Sequence, residues 1–362
     1  MPSTTGIPYL ASSNRTVSFT DAPKKSPANE ASRSKFSSKI PSNASAANAG
    51  SYTVAITSSA ATATSDAATL TLSNATTRLA NISTRGVTSG GANVLIGGFV
   101  VTGTAAQTRQ MLIRVVGPTL STAPFNITTA LANPGLEVYA GNNRNPVLAN
   151  DDWGTQAAGA AQVNAIQQAA QRAGAFALPA NSRDAVVLAT LPPGPYTVQA
   201  TVPAATPNAN GVVLIEVYDV TQGGAAGPKA ANVSTRGQVG TGADQLIAGF
   251  VVTGSVSRRM LIRGAGPTLA ALGVPGVLAD PQLRLVAQAS GQVIRSNDNW
   301  ASGEDATIIS SASSAAGAFP FGGNSRDSAM IVMLPPGAYT VQLSGVNNAT
   351  GVGIVEVYDV DP

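Results

Sequence analysis

Cysteine and histidine are both absent from the 362 residues of this chain. Without cysteine there is no disulfide, no thiolate nucleophile and no cysteine-ligated zinc or iron–sulfur site. Without histidine the commonest general base and the commonest transition-metal ligand are missing. A Ser-His-Asp triad or a histidine-held zinc or haem is therefore excluded within the chain. Charge is scarce as well: Asp, Glu, Lys and Arg make up 11%, against ~25% in ordinary soluble domains. No stretch approaches the ~20 apolar residues that a membrane-spanning helix needs, so no membrane span is expected. Residues 1–20 hold no apolar run of the kind a secretory signal carries.

Small and turn-forming residues are abundant instead, with 37 glycines and 23 prolines set between short runs rich in Val, Thr and Ala. That texture suits an extracellular or cell-surface β-protein better than a charged cytosolic enzyme. The net charge of +3 is unevenly placed. Residues 1–42 carry Arg15, Lys24, Lys25, Arg33, Lys35 and Lys39 against Asp21 and Glu30, and the remainder is close to neutral. The excess lies in a Ser/Ala/Pro-rich leader rather than on a folded basic stripe, so no nucleic-acid partner is expected.

The chain repeats itself. Asn81-Ile-Ser-Thr-Arg-Gly86 returns as Asn232-Val-Ser-Thr-Arg-Gly237, and Leu95-Ile-Gly-Gly-Phe-Val-Val-Thr-Gly103 as Leu246-Ile-Ala-Gly-Phe-Val-Val-Thr-Gly254. Met111-Leu-Ile-Arg-Val-Val-Gly-Pro-Thr-Leu120 returns as Met260-Leu-Ile-Arg-Gly-Ala-Gly-Pro-Thr-Leu269. Asn150-Asp-Asp-Trp153 matches Asn297-Asp-Asn-Trp300, Asn181-Ser-Arg-Asp184 matches Asn324-Ser-Arg-Asp327, and each copy ends on Pro-Pro-Gly-x-Tyr-Thr-Val-Gln and Glu-Val-Tyr-Asp-Val. The offset between copies falls stepwise along the chain, as expected when loops change length and strands do not.

Within copy one, apolar runs bounded by Gly, Pro and Asn predict strands at Val94–Thr102, Gln110–Val116, Leu136–Tyr139, Ala185–Leu191, Tyr196–Val202 and Val212–Val220. A helix is expected over Ala160–Arg172 with Gly174 closing it, and its counterpart over Glu304–Ala316 with Gly317. The expected architecture is all-β: two tandem β-sandwich, jelly-roll-like domains with one short helix each, after a partial immunoglobulin-like N-terminal segment. The bounds are a polar basic leader at 1–42 with one strand at Thr16–Thr20, the partial segment at 43–77, repeat one at 78–221, a Gly/Ala linker at 222–228 and repeat two at 229–362.

The 43–77 assignment rests on Asn48-Ala-Gly-Ser-Tyr52, followed by alternating Val54 and Ile56 and then by Ala63–Leu72. This resembles the tyrosine corner and last two strands of a bacterial immunoglobulin-like domain, with Asn48 where that family usually has Asp. The two long repeats resemble uncharacterised tandem modules at the C-terminal ends of large exported bacterial proteins. The residues that carry the likeness are the Asn-x-Ser-Thr-Arg-Gly, Leu-Ile-Arg-x-x-Gly-Pro-Thr-Leu, Asn-Asp-x-Trp and Pro-Pro-Gly-x-Tyr-Thr-Val motifs, over about residues 78–362. The later part of each copy also looks like jelly-roll domains appended to secreted peptidases. These resemblances imply export and an accessory or structural role, and no catalytic residue.

The oxygen-rich loops at Asn150-Asp151-Asp152 and Asn297-Asp298-Asn299 are candidate Ca²⁺ sites, with Asp151, Asp152 and Asp298 as carboxylate ligands. The competing reading is an Asx-turn that sets the following tryptophan on the core. Trp153 and Trp300 are candidate platforms for a polysaccharide, against a role in the core. Glu216 and Tyr218 share a strand face that excludes Asp219, so Glu216 and Asp219 do not form a glycosidase pair. Arg114, inside an apolar run, is expected to pair with a carboxylate or carbonyls at a sheet edge, since an unpaired buried charge is costly. The function expected is a non-enzymatic extracellular or cell-surface structural protein, a self-assembling filament subunit joined by strand complementation. The alternative is a carbohydrate- or surface-binding accessory module.

Overall fold

The computed structural model describes residues 50–361, apart from 54, 58–61, 65–67, 71–77, 92, 105–106, 205–208, 222–229 and 303–304. The leader, its strand at Thr16–Thr20, the 222–228 linker and Glu304 thus lie outside the described residues. The first unit contains β1 (Gly50–Tyr52), β2 (Ala55–Thr57), β3 (Thr62–Thr64) and β4 (Ala68–Leu70). β1 pairs antiparallel with β4 and β2 with β3, the ladder of a hairpin.

Residues 76–360 form a second compact unit. Copy one supplies β5 (Arg78–Ser89), β6 (Leu95–Val101), β7 (Arg109–Val116), β8 (Gly135–Ala140), β9 (Leu148–Asn150), α1 (Ala160–Ala173), β10 (Ala185–Leu191), β11 (Gly194–Thr201) and β12 (Asn210–Asp219). Copy two supplies β13 (Ala230–Val239), β14 (Leu246–Thr253), β15 (Arg258–Ala265), α2 (Pro267–Ala271), β16 (Pro281–Ala287), β17 (Val293–Asn297), α3 (Ala306–Ala315), β18 (Ser328–Leu334), β19 (Gly337–Gly345) and β20 (Gly351–Asp359). The all-β expectation holds, with α1 and α3 where a helix was expected; copy two departs from one helix per copy by adding the short α2.

The pairings resolve into two eight-stranded antiparallel runs. One is β10-β7-β12-β5-β14-β19-β16-β17, the other β18-β15-β20-β13-β6-β11-β8-β9. Each run takes four strands from each copy. In each run the four strands of one copy meet the four of the other edge to edge, through β5–β14 and β6–β13. Parallel bridges Leu79↔Ala230 and Val87↔Gln238 tie the two runs together. The copies are therefore in tandem along the sequence but share one unit and one hydrophobic core, which takes in Leu95, Val213 and Val198 together with Leu246, Val355 and Val341. Joining removes four edge strands whose backbone N–H and C=O groups would otherwise invite foreign pairing.

β5 and β13 lie at the centre of this arrangement. Residues 81–88 alternate strictly between partly exposed and buried, with Ile82, Thr84, Gly86 and Thr88 inward. In β13 the inward residues are Val233, Thr235, Gly237 and Val239. The Thr84 and Thr235 hydroxyls hydrogen-bond to each other, relating one copy to the other. Side chains at Gly86 and Gly237 would run into the same two methyls, Leu95 Cδ1 and Leu246 Cδ1, so hydrogen there lets the leucines of both copies meet.

Candidate functional site

β7 and β15 are buried on both faces, which is why Met111-Leu-Ile and Met260-Leu-Ile read as unbroken apolar runs. Met111, Ile113 and Val115 face the shared core. Leu112 faces outward to a second cluster with Trp153, Ile166 and Ala169, under α1. Arg114 lies on that outward face. The register sets Val186 of β10 on one side of it and Glu216 of β12 on the other.

Arg114 is 1% exposed. Its Nε lies 3.0 Å from Glu216 Oε2, its Nη1 donates to the Phe176 carbonyl at 2.8 Å, and its guanidinium stacks 4.4 Å from the Phe176 ring centre. Tyr218 donates its hydroxyl to Glu216 Oε1 at 2.6 Å. Burial pushes the Glu216 carboxyl upward, opposed by Arg114 and the Tyr218 hydroxyl. Burial, and then the Glu216 charge, push the Tyr218 phenol strongly upward. Copy two repeats the set with Arg263, Glu356, Tyr358 and the Phe319 carbonyl. The sequence expectation that Arg114 pairs with a carboxylate and carbonyls is met, but β7 is flanked by β10 and β12, so the pair sits inside the sheet and not at its edge. A helix over the outer face permits this, because it shields an interior strand on both sides.

Asp184 anchors the loops around this network. Its Oδ1 accepts from the Gly117 and Thr119 amides at 2.8 and 3.4 Å, and its Oδ2 accepts from the Thr119 and Ser182 hydroxyls. Asp327 does the same with Gly266, Thr268 and Ser325. The Gly-Pro-Thr and Asn-Ser-Arg-Asp motifs, distant in sequence, are thus two halves of one carboxylate cradle.

Asn150 Oδ1 accepts from the Val186 amide at 2.8 Å and its Nδ2 donates to the Asp152 carbonyl; Asn297 does the same with Ala329 and Asn299. These bonds tie each loop to β10 or β18, whereas an Asx-turn has the side-chain oxygen accept from the amide two residues on. Asp151 and Asp298 are exposed and Asp152 half-buried, and among the described residues no three acidic side chains gather into a metal-binding group. Desolvation, then the neighbouring Asp152 charge, push the Asp151 carboxyl upward.

Trp153 is 2% exposed and donates its indole N–H to the Pro179 carbonyl at 3.0 Å. The expected ligand platform is corrected there, because the ring is packed between sheet and helix and has no open face at the surface. Trp300 is half-buried, gives its N–H to the Gly322 carbonyl and meets Phe321 edge-on at 6.2 Å.

Beside Arg114 lies a cavity of about 390 Å³, lined by Arg114, Trp153, Ile166, Phe176, Leu178 and Val186. Sequence reading singled out several of these residues separately and did not unite them. The available signal was that Arg, Phe and Trp recur in both copies while position 178 changes from Leu to Phe321. Neither the protein-family models nor the curated proteins contain a match to this chain.

Proposed function

We propose that the protein is a non-enzymatic structural element of an extracellular or cell-surface assembly, with itself as its principal partner. The observation that carries this reading is the edge-to-edge union of the two copies into two continuous eight-stranded runs over one core. Strand pairing already serves here as the means of joining modules. The repeated charges Arg114, Glu216 and Asp184, with Arg263, Glu356 and Asp327, are all buried and engaged in scaffold contacts.

The hairpin of β1 to β4 offers a route to further joining. Among the described residues its sheets are two-stranded, and a two-stranded hairpin is marginal in water until more strands or a packed face support it. Strands from the leader, or from a second copy of the chain, would complete it. The carbohydrate-binding alternative is weakened by the burial of Trp153 and retains Trp300.

Negative-stain electron microscopy of the purified full chain tests the proposal. Regular filaments, lost when residues 1–75 are removed, are the expected result. Dispersed single particles at high protein concentration would overturn the assembly reading.

A further inference from the structure

Among the described residues seven large apolar side chains are exposed, and four of them stand at the outer end of copy two. They are Val293 and Ile294 of β17, Ile308 of α3 and Met333 of β18, the last 58% exposed. One arginine ties these three elements together. Arg295 Nη1 donates to the Ile331 carbonyl of β18 at 3.0 Å, and Nη2 pairs with the carboxylate of Asp305, which precedes α3. Ile294 adjoins Arg295, Met333 lies two residues past Ile331, and Ile308 lies three past Asp305, on the same side of the helix. The apolar residues thus flank a half-exposed ion pair. Copy one supplies an internal comparison. Aligned on Asn150/Asn297, Gly174/Gly317 and Asp184/Asp327, it has Pro146, Ala165 and Thr190 in place of Val293, Ile308 and Met333. Leu148 and Gln162 stand in place of Arg295 and Asp305, and only Ile294 keeps an exposed apolar counterpart, in Val147. Copy one builds the same strands without these side chains, so the core does not account for them, and exposed apolar residues gathered in one place mark a contact surface.

We propose that this end of copy two is a self-association surface that joins two chains about a two-fold axis. Among the described residues β17 pairs only with β16, and β18 only with β15. Arg295 occupies the open edge of β18 at Ile331, and a charge held there bars the addition of a foreign strand. The contact is therefore made by side chains. The occupant is a second copy because the patch sets one positive and one negative group side by side. A two-fold rotation turns Arg295 of each chain towards Asp305 of the other and lays the apolar residues on one another. A partner of either net charge would leave one of the two groups unmatched. The equivalent end of copy one, with Pro146, Ala165 and Thr190, offers no matching apolar face, so like ends meet and the joint is not head to tail. This joint presupposes the self-association proposed above, but lies apart from residues 1–75.

The chain has no cysteine, so one introduced thiol reports on one place. Ser296→Cys lies beside the patch, and Ala149→Cys is its exposed counterpart in copy one. Each full-length variant is treated with a short bismaleimide at about 100 µM protein, where a joint of micromolar affinity is filled. Ser296→Cys alone is expected to give a covalent dimer, and Ala149→Cys alone none. Adding Ile308→Ala with Met333→Thr, the residues that copy one already carries, should cut the dimer yield ~10-fold or more, with the circular dichroism spectrum unchanged. A dimer formed only when Ser296→Cys and Ala149→Cys chains are mixed would make the contact head to tail and overturn the two-fold joint. No dimer, equal yields from the two single variants, or a yield that the copy-one residues leave intact would overturn the surface itself. Filaments in a chain that gives no such dimer would sink this joint alone. A dimer without filaments would sink the assembly through residues 1–75 and leave this surface standing.

Discussion

Replacing Asp184 by Asn keeps the size of a side chain that accepts four hydrogen bonds and removes its charge. In the native cradle two backbone amides point at Oδ1 and two hydroxyls at Oδ2. Hydrogen bonds to an ionised acceptor are worth ~1.5–3 kcal/mol each, against ~1 for neutral pairs. The amide keeps one oxygen, so the two N–H bonds survive at the lower value. Its NH₂ then faces two hydroxyls that have to turn away or become acceptors. The expected loss is about 3–5 kcal/mol, a large part of the ~5–15 kcal/mol that holds a typical domain together. Since the two copies share one core, the loss should fall on the whole unit. Urea unfolding followed by far-ultraviolet circular dichroism and by tryptophan fluorescence should give one coincident transition. Asp184→Asn and Asp327→Asn should each move that transition in full. Two separable transitions, with each variant shifting only its own copy's, would refute the claim that the edge-to-edge junction makes one cooperative body. A loss below about 1 kcal/mol would refute the role of the cradle.

Two further outcomes follow from the same contacts. The buried Tyr218 and Tyr358 phenols are held strongly above their ordinary value of 10.0, by burial first and by Glu216 and Glu356 next. A group whose folded value is raised contributes stability in full below its unfolded value, and that contribution is lost as pH climbs above it. The protein should therefore lose stability steeply above about pH 10, and Tyr218→Phe with Tyr358→Phe should flatten that limb; an alkaline melting profile unchanged by the pair would count against it. A Cβ at Gly117 or Gly266 would fall on the carbonyl oxygen of Leu131 or Leu278, backbone atoms that have little room to yield. Gly117→Ala and Gly266→Ala should each cost about 2–4 kcal/mol by strain and displacement of the Asp cradle, read as a drop in melting temperature, whereas Gly141→Ala in open space should mainly show the smaller cost of its φ of 56°.

The elements that carried a periodic apolar signal were legible in the sequence. The expected strands Gln110–Val116 and Ala185–Leu191 lie within a residue of β7 and β10, and Gly174 closes α1 in the left-handed conformation. β5 and β13 carry no such signal beyond the motif that opens each repeat. Their inward positions hold Thr84, Gly86 and Thr88, or Thr235 and Gly237, where a half-buried strand usually shows Val, Ile or Phe. Those small residues suit a strand that faces its own counterpart across a tight junction, a neighbour that no local window contains.

The sequence by itself determined the repeat, the all-β class and the chemistry that cannot occur without cysteine and histidine, because composition and local periodicity decide such things. It also showed that Arg114, embedded among apolar residues, required a partner. Tertiary structure alone decided that the partner is Glu216, set opposite by strand register. It also decided that Trp153 is sealed under a helix, and that the two copies join strand to strand. Register, burial and edge pairing are properties of strands brought together from distant parts of the chain. The free energy that fixes them comes from removing apolar surface and unpaired backbone from water, which happens only when those parts meet.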